Sequence, residues 1–192
     1  MMANSKLESH KIVAFRLGTE EYGVPIGQVV SIERMQKPTK IPKVPKHIRG
    51  VLNIRQQVIP IADLRTYLLE AECTDEDDTR IIVIDVDGRS MGLVVDEAKD
   101  VLDIDPDQVQ QVDLHGAASE SVLGIAKVDE RLIILLNMSK LLNELDPSGI
   151  LQEIQHMAQL EQQDGEEAGP AEADGEGADE KVSQAAEDGL AK

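Results

Sequence analysis

The chain has 192 residues, with 19 Lys and Arg against 37 Asp and Glu, for a net charge of -18. That balance argues against a role in holding nucleic-acid phosphates, since such proteins draw their affinity from Lys and Arg, and Phe15, Tyr22 and Tyr67 offer no stacking platform for bases. No apolar run approaches the ~18 to 20 residues of a membrane span and no leading apolar stretch reads as a signal peptide, while the lone Cys73 beside the acidic residues 75–78 cannot pair internally and fits a reducing cytoplasm.

In chain order, residues 12–17 and 22–26 flank a turn at 18–20 and read as a hairpin with Phe15, Leu17 and Val24 facing one core. Residues 29–34 form a third strand. The stretch 37–45 is punctuated by Pro38, Pro42 and Pro45, which interrupt helix and ladder alike. It also carries a basic cluster of Lys37, Lys40, Lys43 and Lys46 on an otherwise acidic chain. In 48–61, two aliphatic runs (Val51, Leu52, Ile54 and Val58, Ile59, Ile61) lie either side of Arg55, Gln56 and Gln57. This is a strand pair whose polar tip offers the Arg55 guanidinium to solvent or to a partner. Pro60 has no backbone donor and predicts an edge strand or a bulge. Asp63 can cap a short helical turn over 66–69, and an acidic loop at 70–79 then marks a boundary between two halves.

The second half repeats the strand pattern. Residues 80–86 and 89–95 meet at Asp87-Gly88, a dipeptide suited to a two-residue type I′ turn. Residues 100–104 form a further strand, and 121–128 pairs with 131–136 across Asp129-Glu130. Roughly five strands on each side of the acidic loop match the spacing of small barrels or sandwiches. Asn137 or Ser139 can cap a short helix reaching Leu145. Asp146-Pro147 can open an amphipathic helix over 147–161, with Ile150, Leu151, Ile154, Met157 and Ala158 at helical spacing. From 161 to 192 there are 11 acids and 2 lysines, a net of -9, with repeated glycines, so 162–192 is expected to be a disordered acidic tail.

No pattern of catalysis or metal binding survives inspection. Asp103, Asp105 and Asp107 have the alternate spacing of a calcium loop, but Gln108 stands at the required glycine and Leu114 at the required glutamate. Asp85-Val86-Asp87 could hold a metal at a strand end, yet Asp87-Gly88 is accounted for by the turn. His10, His47, His115 and His156 are isolated, and the glycines lie singly at turns instead of ahead of a helix. The expectation is a non-enzyme without cofactor or metal, with a soluble enzyme as the weakest alternative.

Residues 48–65, IRGVLNIRQQVIPIADLR, resemble the signature of the CheW family of chemotaxis coupling proteins, a G-x-x-N-L-R-G hairpin followed by P-I-x-D-L-R. Three more matches follow the family order: 15–28 with Glu20-Glu21-Tyr22-Gly23-Val24, then Gly92-Leu93-Val94-Val95-Asp96 with Asp100-Val101-Leu102, and 132–142 with Asn137 and Lys140-Leu141-Leu142. The resemblance implies a mainly β, CheW-like fold over 9–146, with two intertwined five-stranded SH3-like β-barrels dividing near 70–79 and few, short helices. It implies a non-catalytic scaffold in the cytoplasm, recruited to membrane receptor clusters, joining the cytoplasmic tips of chemoreceptors to the regulatory domain of the histidine kinase CheA in larger receptor–kinase arrays. A CheW-like interaction module in another two-component pathway is the alternative. By the same resemblance, Val29, Ser31, Gly50, Asn53, Arg55 and Gln56 form the receptor- or kinase-facing site, while Asp63 and Arg65 hold the hairpin against the short helix. Two positions depart from the family. Gln56 replaces a glycine, which predicts a wider turn, and Ser31 stands where a glutamate is frequent.

Overall fold

The computed structural model describes residues 11–71, 75–111, 121–146 and 149. Within them lie strands β1 (Lys11–Leu17), β2 (Glu20–Pro25), β3 (Val29–Arg34), β4 (Ile48–Ile54) and β5 (Gln57–Asp63), then helix α1 (Leu64–Leu68). Strands β6 (Arg80–Val86), β7 (Arg89–Val95), β8 (Glu97–Asp103), β9 (Val109–Gln110), β10 (Val122–Val128) and β11 (Arg131–Leu136) follow, with helix α2 (Met138–Leu145) after them. The two-residue β9 is the strand that sequence patterning did not separate, and β8 begins at Glu97 instead of 100. The helix expected at 147–161 and the tail expected at 162–192 lie outside the described residues.

The strands build a six-stranded sheet in the order β8-β1-β2-β11-β10-β9 and a five-stranded sheet in the order β3-β6-β7-β5-β4. The sheets interleave along the chain: the first hairpin, β1–β2, belongs to the sheet that β8 to β11 complete, and β6–β7 belongs to the sheet begun by β3 to β5. Two parallel pairings make these insertions, β5 with β7 and β11 with β2. In the five-stranded sheet a bridge between Thr39 and Val51 brings the connection leaving β3, one edge strand, onto β4, the other. The sheet therefore curls until its two edges approach.

Period-two patterning distributes the aliphatic residues among three cores. On β6, Ile82, Ile84 and Val86 face a core between the sheets that also holds Phe15, Leu17, Val24, Leu93 and the apolar face of α2. Ile81 and Val83 point the other way, into the curl of the five-stranded sheet, with Leu52, Ile54, Ile59 and Ile61. The six-stranded sheet encloses Ile12, Ile104, Ala126, Ile133 and Leu135. Strands buried on both faces read as continuous aliphatic runs, which explains the sequence IIVIDV of β6.

Local chemistry sets the turns and caps. Asp87 and Gly88 both have positive φ, 55° and 78°, between paired Val86 and Arg89, as a type I′ turn requires. The Asp63 carboxylate accepts from the backbone N–H groups of Arg65 and Thr66 and caps α1, and Asn137 caps α2 by accepting from Lys140. Pro60 departs from expectation, since β5 lies inside the sheet. Its register explains this: opposite Pro60, Val51 spends both backbone groups on Thr39, and pairing of β5 with β7 starts only at Ile61.

The hairpin tip is tighter than its sequence suggests. Ile54 pairs with Gln57, leaving the two-residue turn Arg55-Gln56, and both residues take positive φ, 52° and 67°. A left-handed conformation costs a residue with a Cβ roughly 1–2 kcal/mol. Gln56→Gly is therefore expected to stabilise the domain by about 1 kcal/mol, less a few tenths for the freer unfolded chain. A urea midpoint that falls in this variant would contradict the strain.

Glu21 clasps the six-stranded sheet from its centre. From β2 its carboxylate takes Arg131 of β11 at 2.7 Å and Lys99 of β8 at 2.8 Å. Hydrogen bonds from Arg131 and then Lys99 hold its pKa below the ordinary 4.5. A lowered carboxylate pKa stabilises the fold above the unfolded value, and that stability is lost as pH falls through the folded one. An acid melt should show this loss below about pH 4.5, and Glu21→Gln should remove part of that pH dependence. An acid limb identical in the two proteins would remove Glu21 as a contributor.

Candidate functional site

Among the described residues the inter-sheet core is left uncovered along one seam. Cross-strand partners project to the same face. Ile32 of β3 pairs with Ile82, and Val101 of β8 pairs with Val13, so both continue the faces that bury Ile82 and Val13 between the sheets. Each lies on an edge strand, and the backbones of β8 and β6 approach within 8 Å, so β3 extends past the edge of the other sheet. Ile32 is consequently 44% exposed and Val101 55%, with Val30 at 51% in the bulge between Val29 and Ser31. Val29 and Ile26 are half-buried at the margin of the same core. The result is an apolar strip bounded by two open strand edges.

The expected site residues divide among different places. Val29 reaches the seam. Ser31 does not: it pairs with Val83, whose side chain fills the curl of the sheet, and its hydroxyl is buried with no hydrogen-bond partner among the described residues. Gly50 is approached by this chain itself. It has φ +133°, and a Cβ there would stand 2.0 Å from the Thr39 carbonyl oxygen. Asn53, Arg55 and Gln56 are exposed at the tip of the β4–β5 hairpin, at the opposite end of the strand order from β3.

Asp63 and Arg65 sit in an ion network under the hairpin. Their side chains are 1% and 6% exposed, with Arg65 Nη2 3.1 Å from Asp63 Oδ2 and Arg65 Nη1 2.8 Å from Asp96 Oδ1. Asp96 also accepts the Gly18 N–H at 2.6 Å, so the network ties the β1–β2 turn to the end of β5. Arg49 adds a fork onto Asp75, at 2.6 and 2.9 Å, and lies 3.6 Å from Asp63. A second joint links α1 to α2. Tyr67 donates to Glu144 at 2.9 Å, and burial followed by that carboxylate pushes its pKa up to about 12. Ser121 donates to the same carboxylate. These groups hold elements in place.

Sequence reasoning missed Val30, Ile32 and Val101, because an exposed aliphatic on an edge strand is spelled like a buried one. It missed Arg49 and Asp96 as well, whose partners are distant in the chain. Among the described residues no group of three or more His, Cys, Asp or Glu could hold a metal, and no helix is long and apolar enough to cross a membrane.

Comparison with known proteins agrees with this architecture. A chemotaxis protein CheW of Bacillus subtilis is 34% identical over 136 residues, covering 70% of this chain and 87% of that protein. One from Klebsiella aerogenes is 33% identical over 135 residues, covering 69% and 81%. The crystal structure of the scaffolding protein TtCheW from Thermoanaerobacter tengcongensis superposes with a TM-score of 0.62 at 34% identity, covering 66% of this chain and 88% of that one. The family model of the CheW-like domain matches residues 11–146, the span of both interleaved sheets, and the chain belongs to that family.

Proposed function

We propose that this chain is a non-catalytic chemotaxis scaffold that couples the cytoplasmic tips of transmembrane chemoreceptors to the regulatory domain of the histidine kinase CheA, working in the cytoplasm and recruited to receptor clusters. Membership of the CheW-like family supports the class of function. The observation that carries the site is the uncovered strip of Val29, Ile32 and Val101 along the seam between β3 and β8. An apolar strip between two strand edges suits the apolar face of an amphipathic helix, which is the form of a helical receptor tip. Arg55, exposed at the hairpin tip, supplies a charged contact outside the strip, where polar groups tune specificity more than affinity. Binding of this kind requires no bond to be made or broken.

The test compares Ile32→Asp with Arg55→Ala in a reconstituted receptor–kinase assay, with thermal melting of each. Arg55→Ala should stay within about 0.5 kcal/mol of the parent, while Ile32→Asp, which gives up the covered part of an aliphatic on a strand, should lose about 1–2 kcal/mol and still melt cooperatively. Ile32→Asp should weaken receptor binding at least about tenfold, near 1.4 kcal/mol, by placing a charge in the strip. Arg55→Ala should lose less and should flatten the salt dependence. Full receptor affinity in Ile32→Asp would move the groove elsewhere.

A further inference from the structure

A cleft of about 860 Å³ opens between the proline-punctuated connection and the acidic loop. It is lined by Lys37, Lys40 and Lys46 together with the apolar side chains of Met35, Ile41 and Val44. Arg49, Asp75, Glu76 and Asp77 also line it: Asp75 is engaged by Arg49, which leaves the three lysines in excess over the carboxylates of Glu76 and Asp77. Among the described residues Lys37, Lys40, Lys43 and Lys46 have no ion-pair partner, as is also true of the scattered Arg34, Arg55, Arg80, Arg89 and Lys127, so these four stand out as a cluster along ten residues.

We propose that the acidic stretch 161–180 of this same chain docks in that cleft. Two observations select this occupant. The first is charge: residues 161–180 contain nine acids and no Lys or Arg, the complement of an unpaired lysine cluster over half-buried apolar groups. The second is position. His47, directly after Lys46, lies 2.9 Å through its Nε2 from the carbonyl oxygen of Leu145, the last residue of α2. The chain beyond α2 therefore leaves the domain beside the lysine end of the cleft. From Asp146 to residue 161 the fifteen intervening steps span roughly 19–23 Å as a flexible coil. The same steps would span about 23 Å as a helix.

A tether of this length holds the acids near the cleft at an effective concentration of about millimolar. Exposed ion pairs are individually weak, so occupancy depends on several lysines acting together and on that local concentration. Such contacts are screened as the Debye length shrinks from about 10 Å at 0.1 M salt to about 3 Å at 1 M. The docked stretch keeps other anionic segments off the cleft at low salt and yields it when salt rises. This proposal stands apart from the coupling role and holds or fails without it.

The experiment maps backbone amide shifts by NMR in three full-length chains. These are the parent, a chain with each Asp and Glu of 161–180 changed to Asn or Gln, and a Lys37→Gln/Lys40→Gln/Lys46→Gln chain. At low salt, neutralising the acids should move the amides of 36–48 and few others, and high salt should bring the parent to the same positions. A synthetic peptide of sequence 161–180, added to the neutralised chain, should restore the parent shifts, and it should have no effect on the lysine variant. Unchanged amides at 36–48 on neutralisation overturn the proposal, as do changes confined to another surface. Changes that vanish on dilution of the parent would place the stretch on a second copy and overturn docking within one chain.

Discussion

Gly50→Ala is expected to destabilise the domain by about 3–5 kcal/mol, a large part of the 5–15 kcal/mol that holds an ordinary domain together. The added Cβ would meet the Thr39 oxygen at 2.0 Å and its carbonyl carbon at 2.7 Å, and these are backbone atoms with no rotamer to yield. Relief requires Thr39 to withdraw from Val51, giving up two hydrogen bonds of 2.9 Å worth about 1 kcal/mol each. The positive φ of 133° adds strain of about 1–3 kcal/mol. Gly50→Asp suffers the same clash, so loss of receptor coupling in either variant would follow loss of fold. Urea unfolding of Gly50→Ala checks this, and a midpoint equal to that of the parent would return Gly50 to the docking surface.

Arg65→Leu carries the second large effect, with an expected loss of about 3–5 kcal/mol. The guanidinium is 6% exposed and neutralises Asp63 and Asp96 together, so its removal leaves two carboxylates short of charge, one of them 1% exposed. Arg49, 3.6 Å from Asp63, can recover part of the deficit, which favours the lower end of the range. Arg65→Lys keeps the charge but cannot fork, and it should fall between parent and Arg65→Leu. Combining Asp63→Asn with Arg65→Leu should cost less than the sum of the two single changes, because each single change strands a charge that the other relieves. Additive losses would show that the two side chains act independently.

What the sequence revealed was mostly local. The Asp87-Gly88 turn, the Asp63 and Asn137 caps, and the hairpin that buries Phe15, Leu17 and Val24 all follow from neighbours within a few positions, where propensity and hydrogen bonding are decided. The parallel pairing of Ile61 with Gly92 and of Ile133 with Glu21 does not, because nothing in either strand names its partner. For the same reason the acidic loop at 70–79 looked like a boundary although the chain crosses back beyond it. At the site, Arg55 was legible as an exposed tip and Asp63 with Arg65 as an internal pair. Ile32 was not, since its exposure depends on where the edge of the other sheet stops. Nothing local to Gly50 foretells that the Thr39 backbone packs against it.

The interleaving of the sheets sets a schedule for synthesis. The β1–β2 hairpin is made before every other described element, yet Glu21 on β2 must wait for Arg131, 110 positions further along, before its place in the six-stranded sheet is secured. Strands β6 to β8 can cover the face of the hairpin and the β1 edge earlier, but the β2 edge stays open until β11 is made, and an open edge invites wrong pairing. Domain closure is consequently a late, all-at-once event governed by contacts remote in sequence, the kind that folds slowly. A pause or a cut in the second half forfeits the first half as well.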